Sequence, residues 1–270
     1  MDEYPEAPVP FLDHLEDDVL ARILRFCVSN ASTAITCWRL RNVVHTYVGL
    51  KTISITSKRH IRALKNSPLL RNTKIRTCDF RAFILDKHLF RFSGVRNIDL
   101  FECTHITNEG VASLAGVKII DLSDTNITDE GIKALAGVHT IKLMNTTVSD
   151  DGVIPLAGVH TIDLAYTSVT DNGVKALAGV HSIDLGNTSV TDEGVQALAG
   201  VHSIVLEDTA VTDEGVASLV GVHLIDLCRT SISNKGIEPL VGVHTIFLCD
   251  TAVTSIEDVD TLQDAYFVVL

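Results

Sequence analysis

From residue 94 onward apolar and polar positions return with a period of 21 or 22 residues. In the copy that starts at Gly158, Val159, Ile162, Leu164 and Val169 are the apolar positions, and Ile162-Asp163-Leu164 alternates as a short strand does. Thr170 followed by Asp171-Asn172-Gly173-Val174-Lys175-Ala176-Leu177 reads as an N-cap, an acidic first turn and a short helix that Gly179 ends. The run recurs from Gly137, Gly179, Gly200, Gly221 and Gly242, and the step from Gly94 to Gly116 is one residue longer. Upstream, Ile84, Leu89, Phe92 and Gly94 fall in register with Ile106, Val111, Leu114 and Gly116, which places a diverged copy near 71–93, and Gly49 to Ile55 begins a weaker one. Downstream, Phe267 and Val269 lie 21 residues after Ile246 and Leu248, so a last strand is expected there. About seven clear repeats are therefore flanked by degenerate ones. A strand and a helix in so few residues cannot bury their own apolar face, but stacked copies can. The expected fold is an α/β solenoid with a curved parallel sheet on the concave side and short helices on the convex side.

The pattern differs ahead of the repeats. Leu15, Val19, Leu20, Ile23, Leu24 and Phe26 form a helical stripe after an acidic start, and Ala34, Ile35, Cys37, Trp38, Leu40, Val43 and Val44 form a second beyond the polar run 29–33. The expected organisation is a disordered tail at 1–10, a helical module at 11–48, degenerate repeats at 49–93 and the solenoid proper at 94–270. The simplest role for the helices is to cover the apolar end of the first repeat.

Leu100, Cys103 and the run Ile106-Thr107-Asn108-Glu109-Gly110-Val111 resemble the cysteine-containing class of leucine-rich repeats. Later copies are one residue shorter and carry Thr125, Thr146, Thr167, Thr188, Thr209, Thr230 and Thr251 in place of the cysteine. Their hydroxyls are expected to satisfy backbone groups of the adjoining loop and to form a ladder between rungs. The resemblance covers most of 49–270 and implies the fold without naming a partner.

Residues Leu15 to Val44 resemble an F-box, the helical module that docks a substrate receptor on the adaptor subunit of SCF ubiquitin ligases. The family opens with Leu-Pro, two polar residues, Val or Ile, Leu, two variable residues and Ile-Leu, and Leu15, Val19, Leu20, Ile23 and Leu24 stand at that spacing. Cys37-Trp38-Arg39-Leu40-Arg41 is similar to the family's Val-Cys-Arg-Arg-Trp segment, with Leu40 in place of the tryptophan, and Glu16 replaces the opening proline. The resemblance implies that Leu15, Val19, Leu20, Ile23, Leu24 and Phe26 contact the adaptor and, through it, a cullin, while the repeats hold a target. The alternative is a leucine-rich scaffold with no ligase link, its helices acting only as a cap.

Six cysteines without a CxxC pair point to reduced thiols and a cytoplasmic or nuclear protein. No basic and apolar leader opens the sequence and nowhere do eighteen apolar residues run together, so neither a signal peptide nor a membrane span is expected. The net charge of −12 is unevenly spread: residues 22–93 hold fifteen basic and two acidic side chains, residues 94–270 seven and twenty-five. An acidic solenoid repels phosphate, which makes nucleic acid an unlikely partner there. The basic stretch reads either as a solvated face or as a contact for RNA or an acidic protein such as the adaptor. No Gly-rich phosphate loop, metal-ligand spacing or nucleophile motif is present, so the chain reads as a recognition protein without a cofactor rather than an enzyme.

Residues flanking the inward strand positions form an outward column of Asp99, Asp121, Lys142, Asp163, Asp184, Val205, Asp226 and Phe247. It is either a product of duplication that aids solubility or an acidic track for a basic peptide or protein. Toward the last rungs Val205, Leu224, Cys228, Phe247 and Cys249 replace polar residues, and apolar or aromatic anchors of this kind carry interfaces. The candidate target-binding set is Asp163, Asp184, Val205, Leu224, Asp226, Cys228, Phe247 and Cys249. A second column, His139, His160, His181, His202, His223 and His244, suggests a metal ladder or a pH sensor, or a repeated structural residue, since Arg96 and Lys118 fill its slot in earlier copies.

Overall fold

The computed structural model describes residues 52–54, 74–76, 81–240, 242–254 and 267–269. The tail, the helical module and the adaptor-contact residues Leu15, Val19, Leu20, Ile23, Leu24 and Phe26 lie outside the described residues.

Among the described residues eleven three-residue strands form one sheet in chain order, each parallel to the next. They are β1 (Thr52–Ser54), β2 (Lys74–Arg76), β3 (Asn97–Asp99), β4 (Ile119–Asp121), β5 (Thr140–Lys142), β6 (Thr161–Asp163), β7 (Ser182–Asp184), β8 (Ser203–Val205), β9 (Leu224–Asp226), β10 (Thr245–Phe247) and β11 (Phe267–Val269). From β2 to β10 each connection passes through a short helix: α1 (Asp86–Leu89), α2 (Asn108–Ala112), α3 (Asp129–Ile132), α4 (Asp150–Val153), α5 (Asp171–Lys175), α6 (Asp192–Gln196), α7 (Asp213–Val216) and α8 (Asn234–Ile237). Within the degenerate copies expected at 49–55 and 71–93, the described strands β1 and β2 join the sheet, with Ile53 pairing to Ile75. Phe267–Val269 is a strand as expected, but its register is one residue off: Ile246 pairs with Val268, so the last step is 22 residues rather than 21. Residues 255–266 match no earlier copy, and spacing alone could not fix that register.

The apolar pattern explains the core. Val159, Ile162, Leu164, Val169, Val174 and Leu177 are all buried, and their equivalents join one continuous apolar cluster from Ile75 to Leu248. Each rung covers its neighbour's inner surface, so no single repeat carries the core.

Two turns need a positive φ. Gly158 has φ +85°, a conformation that costs a residue without Cβ nothing, and its equivalents share it. This glycine does not end the helix as the sequence suggested at Gly179: α5 stops at Lys175, and Gly179 makes the turn into β7. The second turn, just after each strand, is occupied mostly by Asp and Asn, which tolerate it best, but also by Tyr166 (φ 56°) and Arg229 (φ 55°).

The recurrent threonines satisfy their own loops. Thr167 Oγ1 donates to the Leu164 carbonyl at 2.6 Å, and six further threonines repeat the bond within their own rungs. They form no ladder between rungs, because a hydroxyl turned onto the carbonyl three residues back has used its one proton. The ladder lies at the helix starts. Asp150 accepts the Thr170 backbone N–H at 2.8 Å and the Thr170 hydroxyl at 2.7 Å, and Asp86, Asp129, Asp171, Asp192 and Asp213 do the same for the next rung. Thr170 in turn accepts the Asn172 N–H, completing the N-cap. A Cβ on Gly173 would sit 2.5 Å from Asp150 Oδ1 and 3.1 Å from the Asp150 Cα. The Asp-x-Gly signature therefore records a close approach between rungs.

Candidate functional site: the open face of the sheet

The strand alternation that buries Ile162 turns Thr161 and Asp163 outward, so three columns run along the open face. The first comprises Asn97, Ile119, Thr140, Thr161, Ser182, Ser203, Leu224 and Thr245. The second is the expected acidic column, paired in register as Asp163 with Asp184, Asp184 with Val205, Val205 with Asp226 and Asp226 with Phe247. The third lies just past the strands and ends in Cys228 and Cys249. The structure therefore brings the whole candidate target-binding set together on β6 to β10 and the turns that follow. Asp163, Asp184, Val205, Leu224, Asp226, Phe247 and Cys249 are half-buried, whereas Cys228 is only 8% exposed and offers little surface.

The aspartates of this column are poorly compensated. Asp184 Oδ1 accepts the Gly186 N–H at 2.9 Å, Asp163 Oδ1 accepts the Ala165 N–H at 3.2 Å and Asp226 Oδ1 accepts the Cys228 N–H at 2.9 Å, each within its own loop. Among the described residues none of the three has an ion-pair partner. Partial burial pushes the Asp184 carboxyl up to about 6, with further upward pressure from Asp163, Asp226 and Glu207. Burial also raises the Asp163 carboxyl; the Ala165 N–H and nearby Lys142 oppose that rise and Asp121 adds to it.

Sequence reasoning missed one feature of this face. A depression of about 110 Å³ opens at β3 to β5 between Asn97, Asp99, Ile119, Asp121, Thr140 and Lys142. The signal was available in Ile119, an exposed isoleucine where the other copies from β3 to β10, Leu224 excepted, place Asn, Thr or Ser.

The histidine column runs along the entry to the strands. Successive ring centroids are 4.5 to 4.7 Å apart, close to the strand spacing, and the planes of His181, His202 and His223 are stacked within 8°. The backbone does the structural bonding: the His160 N–H donates to the His139 carbonyl at 3.0 Å, and each later rung repeats it. Desolvation against the neighbouring rings, followed by repulsion from adjacent imidazoles, holds His181 and His223 below the usual histidine range. Among the described residues no group of three or more His, Cys, Asp or Glu side chains is placed to hold a metal ion, and no helix is long and apolar enough to cross a membrane.

Three segments, 117–136, 159–178 and 180–199, match the family model described as Leucine Rich repeat. No curated protein matches the sequence. Among solved structures, the chain is similar to internalin C2 of Listeria monocytogenes, at 20% identity and a TM-score of 0.56 over 69% of this chain and 84% of that one. It is also similar to internalin InlF of the same organism, at 14% identity and 0.56 over 99% of both chains. A third likeness is to the TLR13–ssRNA13 complex, at 11% identity and 0.55 over 85% of this chain and 41% of that one. With the parallel sheet, the buried Leu and Ile positions and the helices behind them, these matches establish that the chain carries leucine-rich repeats folded as a leucine-rich-repeat solenoid.

Proposed function

We propose that the chain is a protein-recognition module whose open sheet face binds a partner presenting a cationic segment beside an apolar side chain. The observation that carries this reading is the line Asp163, Asp184, Val205, Asp226 and Phe247: three carboxylates that make no ion pair among the described residues, with Lys142 near the first of them only, interleaved and ended by apolar residues. A lysine or arginine from a partner would relieve the like-charge crowding, and Phe247 with Val205 and Leu224 supplies the anchor. The RNA of the TLR13 complex has no counterpart in this reading, because seven basic against twenty-five acidic side chains in 94–270 oppose a polyanion. The test is titration of the chain with peptides that combine Lys or Arg with an aromatic residue. Asp184→Lys and Phe247→Ser are each expected to weaken binding about tenfold or more, and binding that neither changes would overturn the assignment of this face.

The finer reading is that the chain is a substrate receptor of an SCF-type ubiquitin ligase. It rests on the resemblance of Leu15, Val19, Leu20, Ile23, Leu24 and Phe26 to the opening of an F-box. In that role the chain does no chemistry; it holds a target near the ligase and so raises its effective concentration. Pull-down with an SCF adaptor and cullin, beside a Leu20→Asp, Ile23→Asp variant, tests it. Capture lost in the variant supports a receptor; no capture by the intact chain leaves a recognition scaffold with a helical cap.

A further inference from the structure

Cys228 and Cys249 stand at equivalent places on consecutive rungs, each two residues beyond the paired strand residues Asp226 and Phe247. In-register backbones of adjacent parallel strands lie about 4.8 Å apart, within the roughly 4.4 to 6.8 Å between Cα atoms that a disulfide spans. The ladder continues through this turn, where the Arg229 N–H donates to the Cys249 carbonyl at 2.8 Å. The Cys249 N–H donates to Cys228 Sγ at 3.2 Å, and the two thiols hydrogen-bond each other. The third described cysteine, Cys103, is buried in the rung of β3.

We propose that Cys228 and Cys249 form a thiol modification site, oxidised by a low-molecular-weight disulfide such as glutathione disulfide to a disulfide between rungs. Cys249 is the more exposed of the two residues, so its thiolate attacks one sulfur of glutathione disulfide; a protein–glutathione bond forms and a glutathione thiolate leaves. Cys228 then gives up its proton and attacks the Cys249 sulfur, displacing the second glutathione thiolate. Two protein thiols lose two electrons in all, the disulfide gains them, and the two protons go to the two glutathiones released.

The order of attack follows from the surroundings. Burial pushes the Cys228 thiol up to about 12, and its hydrogen bonds to the Asp226 carboxylate and to Cys249 reinforce the neutral form, so Cys228 resolves rather than initiates. Oxidation removes the S–H that Asp226 accepts and ties the rung of Asp226 to that of Phe247. Both residues belong to the face proposed for recognition, yet disulfide formation itself does not depend on that reading.

The test treats the full chain with glutathione disulfide at rising ratios to glutathione, quenches with acid, alkylates free thiols and maps the peptides by mass. The wild type is expected to yield a Cys228–Cys249 linked peptide. Cys228→Ser should accumulate glutathione on Cys249, and Cys249→Ser should leave Cys228 alkylated as a free thiol, reacting about tenfold slower or less. Circular dichroism and melting curves confirm that both variants are folded before they are compared. Arrest of the wild type at a Cys249–glutathione adduct, recovery of both cysteines as free thiols, or a link to another cysteine would each overturn the proposal. None of these outcomes depends on whether the peptides above bind.

Discussion

Two sets of aspartates repeat along this chain with nearly the same period, and the structure treats them differently. At the helix starts Asp86, Asp129, Asp150, Asp171, Asp192 and Asp213 each accept an N–H and an O–H from the next rung. On the open face Asp163, Asp184 and Asp226 accept only donors of their own loop, an N–H each and for Asp226 the Cys228 S–H as well, and meet further carboxylates. The first set joins rungs, so a position that loses its carboxylate needs a substitute such as Asn108 or Asn234, whose oxygens accept the Thr128 and Thr254 N–H groups. The second set joins nothing within the described residues and has drifted to Lys142, Val205 and Phe247. Positions held by their neighbours stay fixed, while positions left over are free to specify a partner.

The contrast can be broken most sharply at Gly173. Gly173→Ala sets a methyl group against Asp150 Oδ1 and the Asp150 backbone, and is expected to cost about 3 kcal/mol in urea unfolding despite the better helix propensity of alanine. Asp150→Ala, which strands the Thr170 N–H and hydroxyl, should cost about 2 kcal/mol. Thr167→Val, which leaves the buried Leu164 carbonyl without its donor, should cost about 1 kcal/mol.

Open-face changes should have the opposite sign. The Asp184 carboxyl rises in the folded chain from the ordinary 3.8 to about 6. Its favourable contribution is therefore complete below pH 3.8 and is lost as pH rises through about 6. Asp184→Asn keeps an oxygen for the Gly186 N–H and should stabilise the chain at pH 7 by on the order of 1 kcal/mol, allowing for solvent screening of a half-buried group. A destabilised Asn variant would show that this column, too, is structural.

The histidine ladder gives the smallest effect. His181 and His223 lie below 6.5 in the folded chain, so the stability linked to them is present above that pH and is lost as pH falls through it. A His181→Gln, His223→Gln pair should flatten the acid limb of stability between pH 6.5 and 5, measured by thermal melts across that range. An unchanged acid limb would show that the stacked rings take up protons without strain.

Much of this was legible in the sequence. The period, the buried Ile162 and Leu164 and the outward Asp163 follow from alternation alone, because a strand has only two faces and one of them is apolar. The core positions Ile84, Leu89 and Phe92 were readable although their surroundings diverge, since the core tolerates few substitutes there. The partner of each polar side chain was not readable. Thr167 as a loop bond rather than a ladder, Asp150 as the true ladder and Cys228 as a buried thiol each depend on which neighbour lies within about 3 Å. One-dimensional spacing does not contain that distance.

What the amino-acid sequence determined by itself was the repeat, and with it the parallel stack, because no single 21-residue unit can bury its own apolar face. Only the tertiary structure decided which of two identical carboxylate patterns is bonded and which is left facing solvent. The reason is physical: burial is set by a residue's own periodicity, but hydrogen bonding and charge compensation are set by the rung that happens to lie beside it.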